Sequence, residues 1–358
     1  MVSKISILCP SFNHEKFVRF FIESVLRQSF ENFELIIVDD CSSDDNVREI
    51  AKFKDERIKL IQHEYNKGIN AALNTAFENS NGDLIVFCAS DDIFEDNALE
   101  RIYHHALENP DILAFVPNTR VIDKDNQITS KEEAYLKLRT RSELINQFFM
   151  MENCLSSVGL TIRRGLFSSA LYPLDVSMCN HQDTQMFIKI LKNGEIKLID
   201  EFLIRYRFDP KTSNISVRTE RTMKREEMES YMLMETFLEF EDMALLEKAF
   251  ANEIGEFNVK PEKENLRYFL GLMALKSPIL IRKYWGYHKI MQSVSANLPI
   301  LHKNYGFDFR QYLALIDHLE EKNTKRFMQY KKYKKISKIS IILNFVIIFV
   351  FLIFIFLK

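Results

Sequence analysis

The sequence predicts an α/β protein: a mostly parallel, Rossmann-type sheet with flanking helices, then an α-helical C-terminal region and one transmembrane helix. Three observations predict it. Short apolar runs alternate with helical stripes from Ile5 to Val116. Two of those runs end in paired carboxylates, Asp39-Asp40 and Asp91-Asp92. Near the end of the chain, residues 339–357 are apolar except for Ser340 and Asn344.

Residues 5–9 read as a buried strand stopped by Pro10, after which Phe17, Phe20, Phe21 and Val25 recur at helical spacing. Residues 33–38 form the second strand. The stretch Asp39-Asp40-Cys41-Ser42-Ser43-Asp44 then supplies turn and cap chemistry for the next helix. Residues 58–61 are the third strand, and Asn66-Lys67-Gly68 turns the chain into a helix with Ile69, Ala72, Leu73, Ala76 and Phe77 on one face. The fourth strand is Leu84-Ile85-Val86-Phe87-Cys88, followed by a helix striped by Leu99, Ile102, Tyr103, Ala106 and Leu107. Residues 112–116 supply the fifth. Alternating units of this length build a mostly parallel three-layer sheet. Its ligand crevice lies beyond the carboxyl ends of the strands, where both acidic pairs and the loop Pro10-Ser11-Phe12-Asn13 fall.

Beyond Val116 the pattern changes. A hairpin is expected over residues 119–130 around Asp125-Asn126, and a loop over 167–180. A helix follows over 184–193 with Met186, Phe187, Ile190 and Leu191 inward, and a strand over 197–206. From about residue 218 the chain is helical, charged and aromatic, broken by Pro261, Pro278 and Pro299. The division expected is 1–118, 119–217, 218–338 and a membrane segment over 339–357.

The formal net charge of −2 provides no global basic field for nucleic acid. The five cysteines are scattered without metal-ligand spacing, which fits buried thiols in a reducing compartment. Met1-Val2-Ser3-Lys4 leads into a run too short for a signal h-region, so no secretory signal is expected. As a helix, the apolar segment would measure roughly 28 Å, close to the hydrocarbon thickness of a bilayer. Lys331, Lys332, Lys334, Lys335 and Lys338 precede it. That flank predicts a single-pass C-terminal anchor in the inner membrane with the bulk of the chain in the cytoplasm.

Paired carboxylates at a buried strand end are poor core material but good ligands for Mg²⁺ or Mn²⁺, hard cations that can hold a diphosphate. Either Asp91 or Asp92 can touch the cation, and Asp39 suits a hydrogen bond from a base or ribose. Asp183 opens a helix, where an ionised carboxylate is either an ordinary cap or a general base.

The ordered set Pro10-Ser11-Phe12-Asn13, Val38-Asp39-Asp40-Cys41-Ser42-Ser43-Asp44, Asn66-Lys67-Gly68 and Ala89-Ser90-Asp91-Asp92 resembles family 2 glycosyltransferases of the GT-A fold. Gln182-Asp183 and Arg205-Tyr206-Arg207-Phe208-Asp209, with Ser213 and Ser216 beyond, resemble the family's later half. The resemblance spans about residues 4–217. It implies a GT-A-like sheet, and inverting transfer from a nucleoside-diphosphate sugar, usually UDP-linked, assisted by Mg²⁺ or Mn²⁺. It further implies that Pro10, Phe12, Asp39, Asp40 and Lys67 bind the nucleotide. Asp91, Asp92 and Asp209 would form the metal corner, Arg205 and Arg207 would lie near the diphosphate, and Asp183 would be the catalytic base. Residues 1–118 would then be the nucleotide-sugar half and 119–217 the acceptor half. The acceptor expected is a lipid-linked saccharide or surface glycan at the cytoplasmic membrane face, with no role for nucleic acid. Three positions depart from the family pattern: Ala89 replaces a frequent Asp, Gln182 a frequent Glu, and Asp209 a frequent His. Ala89 and Asp209 also define the rival reading, an inactive membrane-tethered GT-A-like scaffold.

Overall fold

A computed structural model describes residues 4–133, 139–151, 153–208 and 219–319. Four strands come first: β1 (Ile5–Ser11), β2 (Phe33–Asp39), β3 (Ile58–Gln62) and β4 (Leu84–Phe87). They pair in parallel in the order β3-β2-β1-β4. Successive side chains alternate between the sheet's faces. Leu8, Ile36, Val38 and Ile85 meet Ala72, Leu73, Ala76 and Phe77 on one side. Ile7, Cys9, Leu35, Ile37 and Val86 meet Phe21, Ile22, Val25, Leu99 and Ile102 on the other. Burial on both faces explains why β1, β2 and β4 read as continuous apolar runs, whereas β3 at the edge is only half-buried.

The remainder of the sheet departs from the mostly parallel expectation. It adds β5 (Ile93–Phe94), β6 (Ala114–Ile122), β7 (Ile128–Glu133), β8 (Thr161–Arg163) and β9 (Ile196–Arg207). The order is β3-β2-β1-β4-β8-β6-β9-β5, with β7 on β6. The pairings β4–β8, β6–β8, β6–β7 and β5–β9 are antiparallel, so the sheet is mixed. The short β8 wedges between β4 and β6 and reverses direction, a long-range pairing that local alternation does not encode. The expected 119–130 hairpin is formed by β6 and β7. Its turn is fixed by the Asp123 carboxylate, which accepts the backbone N–H groups of Asp125 and Gln127, with Asn126 at φ 63°.

The C-terminal helices complete the same core that covers one face of the sheet. Phe149 is met edge-on by Phe237, Phe250 and Trp285. The helices Leu266–Ala274 and Leu280–Tyr305 cross where a Cβ on Gly286 would fall 2.6 Å from the carbonyl oxygen of Gly271. Only glycine permits that approach.

The membrane expectation is corrected here. Among the described residues no helix is long and apolar enough to cross a membrane. The longest, Leu280–Tyr305, carries Arg282, Lys283, Lys289 and Lys303, packs into the protein, and kinks at Asn297 ahead of Pro299. The segment 339–357 lies outside the described residues. The architecture is therefore a mixed α/β sheet with a helical C-terminal region, and the single-pass anchoring and inner-membrane placement drawn from that segment are not supported.

Candidate active site

The carboxyl ends of β1 and β4 open into a cleft of about 1480 Å³. On its floor the loop after β1 is tied to the loop after β2. The Asn13 side-chain oxygen accepts the Ser43 N–H at 2.8 Å, and its own N–H donates to Ser42 Oγ at 2.9 Å. Asn13 adopts φ 56°, a left-handed conformation Asn tolerates. Phe12, 43% exposed, presents its ring to the cleft beside Pro10. An aromatic face left in water at a cleft suits a stacked base.

Beneath this floor runs a polar network. Asp39 accepts from Asn46 Nδ2 at 2.7 Å and from the Ser42 N–H at 3.0 Å. Asn46 also donates to Ser11 Oγ, which is bonded to Ser90 Oγ, which in turn meets His14 Nδ1. His14 Nε2 is 3.7 Å from Asp91 Oδ2. Asp40 does different work. Its oxygens accept the Lys67 and Gly68 N–H groups at 2.8 Å each, and His63 Nδ1 lies 2.7 Å away. The Asn66-Lys67-Gly68 turn is thus held by a buried carboxylate, and Gly68 at φ 89° allows it.

The acidic pair divides its tasks. Asp92 is 1% exposed and accepts the Arg207 N–H at 2.9 Å, whereas Asp91, 8% exposed, faces His14. Burial and the neighbouring Asp91 charge push Asp92 well above the usual carboxylate range, opposed by Arg207. The Arg207 guanidinium is buried against the Phe17 ring, 4.4 Å from its centroid, and donates to the Asp91 and Asp123 carbonyls and the Asn126 side chain. The thiols of Cys9 and Cys88, pushed up by burial and then by the acidic pair, are packing groups here.

The opposite wall holds Asp183, in the first turn of the helix Gln182–Asn193. One carboxylate oxygen accepts the Thr184 N–H at 2.6 Å, and the other accepts from Asn153 Nδ2 at 3.0 Å. Burial raises its pKa to about 6, partly countered by the bonds from Thr184 and Asn153. The loop Asn153–Val158 and residues Cys179, Asn180, Gln182 and Glu226 complete that side.

Of the residues singled out from sequence, Pro10, Phe12, Asp40, Asp91, Asp92 and Asp183 line this one cleft. Asp39 sits beneath it, and Lys67 lies over the Tyr65 ring outside the lining. Arg205 points elsewhere: it pairs with Glu95 through two contacts of 2.9 and 2.6 Å. Arg207 braces the acidic pair from below. Asp209 lies outside the described residues. Sequence reasoning gave no role to Asn153, an isolated polar residue, nor to His14 and Ser90, which lie in or beside the quoted motifs but whose bond to each other joins distant segments. It also missed Glu229, which reaches the site from the distant helix Glu220–Leu233.

A strand-edge cleft with carboxylates on both walls is the arrangement expected of a GT-A-type transferase, and comparison with known proteins agrees with that fold. The glycosyl transferase family 2 profile matches residues 6–168. The Escherichia coli UDP-Glc:alpha-D-GlcNAc-diphosphoundecaprenol beta-1,3-glucosyltransferase WfgD is 31% identical over 223 residues, 62% of this chain and 83% of that one. An uncharacterized glycosyltransferase of Haemophilus influenzae is 36% identical over 140 residues, 37% of this chain and 56% of that one. The structure of S. aureus TarS 1–349 in complex with UDP superposes with a TM-score of 0.54 at 17% identity, covering 88% of this chain and 90% of that one; this likeness establishes the fold. The chain belongs to glycosyl transferase family 2 and is a glycosyltransferase.

Proposed function

We propose that the protein moves a sugar, with inversion, from a UDP-linked donor to a hydroxyl of a lipid-linked saccharide in surface-glycan assembly. The observation that carries this reading is the single cleft with Asp91 at a strand end on one wall and Asp183 at a helix start on the other. The relative WfgD supports it, since its name states a UDP-Glc donor and a GlcNAc-diphosphoundecaprenol acceptor. So does TarS, whose structure holds UDP.

In this mechanism the Asp183 carboxylate removes the proton of the acceptor hydroxyl. The resulting oxygen nucleophile attacks the anomeric carbon opposite the diphosphate. The bond to the diphosphate breaks in the same displacement, and UDP departs. A pKa of about 6 leaves the base ionised at neutral pH yet basic enough to accept a proton. The Asn153 amide fixes one carboxylate oxygen and so limits how the base can rotate.

A divalent cation fits the donor wall through Asp91, because Asp92 is engaged by the Arg207 N–H. Among the described residues no group of three or more His, Cys, Asp or Glu side chains is arranged to hold a metal. One carboxylate with phosphate oxygens and water is, however, a common Mg²⁺ donor set. Bound there, Mg²⁺ or Mn²⁺ would offset charge developing on the leaving diphosphate.

The test is to incubate purified protein with a panel of UDP-sugars and a polyprenyl-diphosphate-linked GlcNAc acceptor, and to determine the anomeric configuration of the product by NMR. An inverted linkage from at least one donor is expected. Retention of configuration, or transfer only from non-uridine donors, would refute the reading.

A further inference from the structure

We propose that Glu229 is a positioning residue for the base Asp183, supplied by the C-terminal helical region; this rests on the reading of Asp183 as base. Glu229 lies on the helix Glu220–Leu233, yet its Oε2 accepts three consecutive backbone N–H groups, from Cys179 at 3.0 Å, Asn180 at 2.7 Å and His181 at 2.9 Å. Those residues lead directly into the helix Gln182–Asn193, whose cap residue His181 makes no side-chain capping bond of its own. A buried carboxylate inside three converging N–H groups is an anion nest built from one chain segment and filled by another. It ties down the three residues that lead into the helix, the cap residue His181 included, and so fixes the backbone two residues ahead of Asp183.

Neighbouring contacts reinforce the clamp. Arg225, one turn earlier, donates to the Asn180 side-chain oxygen and lies 3.8 Å from Glu229 Oε1. On the far side of the base, Arg282 of the helix Leu280–Tyr305 donates to the carbonyls of Phe148, Phe149 and Met151, just ahead of Asn153. The 179–181 loop, and the chain up to Met151 two residues before Asn153, are thus held from the helical region. Reacting groups must align within fractions of an ångström, so a loosened loop lowers turnover without touching the donor wall.

The experiment compares Glu229→Ala, Glu229→Gln and Asp183→Asn in the full chain by steady-state kinetics, thermal unfolding and amide hydrogen exchange. For Glu229→Ala, kcat should fall by about 10-fold or more while the donor KM stays within about twofold. Exchange should accelerate at residues 179–181 against an unchanged background. Glu229→Gln, whose amide oxygen can accept the same N–H groups, should recover part of kcat. If the loop amides are deprotected and kcat is unchanged, the clamp does not position the base and the proposal fails. It fails equally if kcat, donor KM and global unfolding deteriorate together and Gln is no better than Ala. Turnover surviving in Asp183→Asn would remove the base reading itself, and that result is independent of either Glu229 variant.

Discussion

The two walls of the cleft are built by different means. On the donor wall, register does the placing: Ser11 pairs with Asp39 across β1 and β2, and a short turn of three residues carries the chain from the end of β4 to Asp91-Asp92. Three parallel strands buried on both faces, β1, β2 and β4, leave those carboxylates little freedom. On the base wall no strand ends at the site. Asp183 is held by an amide thirty residues earlier in the chain and by a loop clamped from a helix nearly fifty residues later. One wall is rigid by secondary structure, and the other is rigid only while a tertiary scaffold holds it.

The sharpest break in this comparison is Asp183→Asn, which keeps the shape of the base wall and removes its proton acceptor. Turnover should fall by about 10²–10⁴-fold, with nucleotide-sugar affinity unchanged by calorimetry. A variant that binds donor less tightly instead would show that the walls are not independent. Excess EDTA applies the same logic to the donor wall. Turnover should cease and return with Mg²⁺ or Mn²⁺, and persistent activity in the chelator would refute the cation at Asp91.

Next in size is Arg207→Met. The guanidinium is 1% exposed and bridges the acidic pair to the β6–β7 turn. Removing it leaves the Asp91 and Asp123 carbonyls and the Asn126 side chain without their buried donor and takes away a positive charge near the acidic pair, at a cost of about 2–4 kcal/mol to the fold. Urea unfolding checks this. A loss under about 1 kcal/mol would mean that the acidic pair is held by strand register alone.

The walls also differ in how far the sequence exposes them. Asp39, Asp40, Asp91 and Asp92 are legible because each follows an apolar run, so position along the chain already implies position at the sheet edge. The same alternation implies parallel pairing of these strands, but the order β3-β2-β1-β4 comes only from the structure. The antiparallel insertion of β8 is not, because a three-residue strand carries too little pattern to fix its partners. Glu229 is invisible for a related reason: in a helix rich in Glu, Lys and Arg, a carboxylate that faces inward looks like its solvated neighbours. Arg205 misleads in the opposite sense. It stands two residues from Arg207 and so on the same face of β9, but there the strand pairs with β5, and Arg205 meets Glu95 just beyond β5 instead of entering the cleft.

A smaller effect is expected from Asp39→Ala. Asp39 anchors Asn46 and the Ser42 N–H under the nucleotide floor, so donor affinity should weaken by about 1–3 kcal/mol through loss of charge-assisted bonds. Calorimetric titration with UDP checks it. Affinity unchanged with kcat reduced would move Asp39 from the donor wall to the chemistry.

The smallest effect concerns pH and the base wall alone. Burial raises the Asp183 carboxyl to about 6, from the 3.8 of a free aspartate. Below that value the base is protonated, so kcat/KM should fall about tenfold per pH unit on an acidic limb centred near 6. Stability carries the opposite sign. Because the folded-state pKa is raised, the unfolded chain gives up its proton first, and ionisation in the fold costs stability as pH rises from about 4 to about 6. Asp183→Asn should therefore melt higher than the parent chain at pH 7 while having lost turnover. If the parent protein instead gains stability across that window, the carboxylate is held by more hydrogen bonds than those from Thr184 and Asn153. The base wall would then be as rigid as the donor wall.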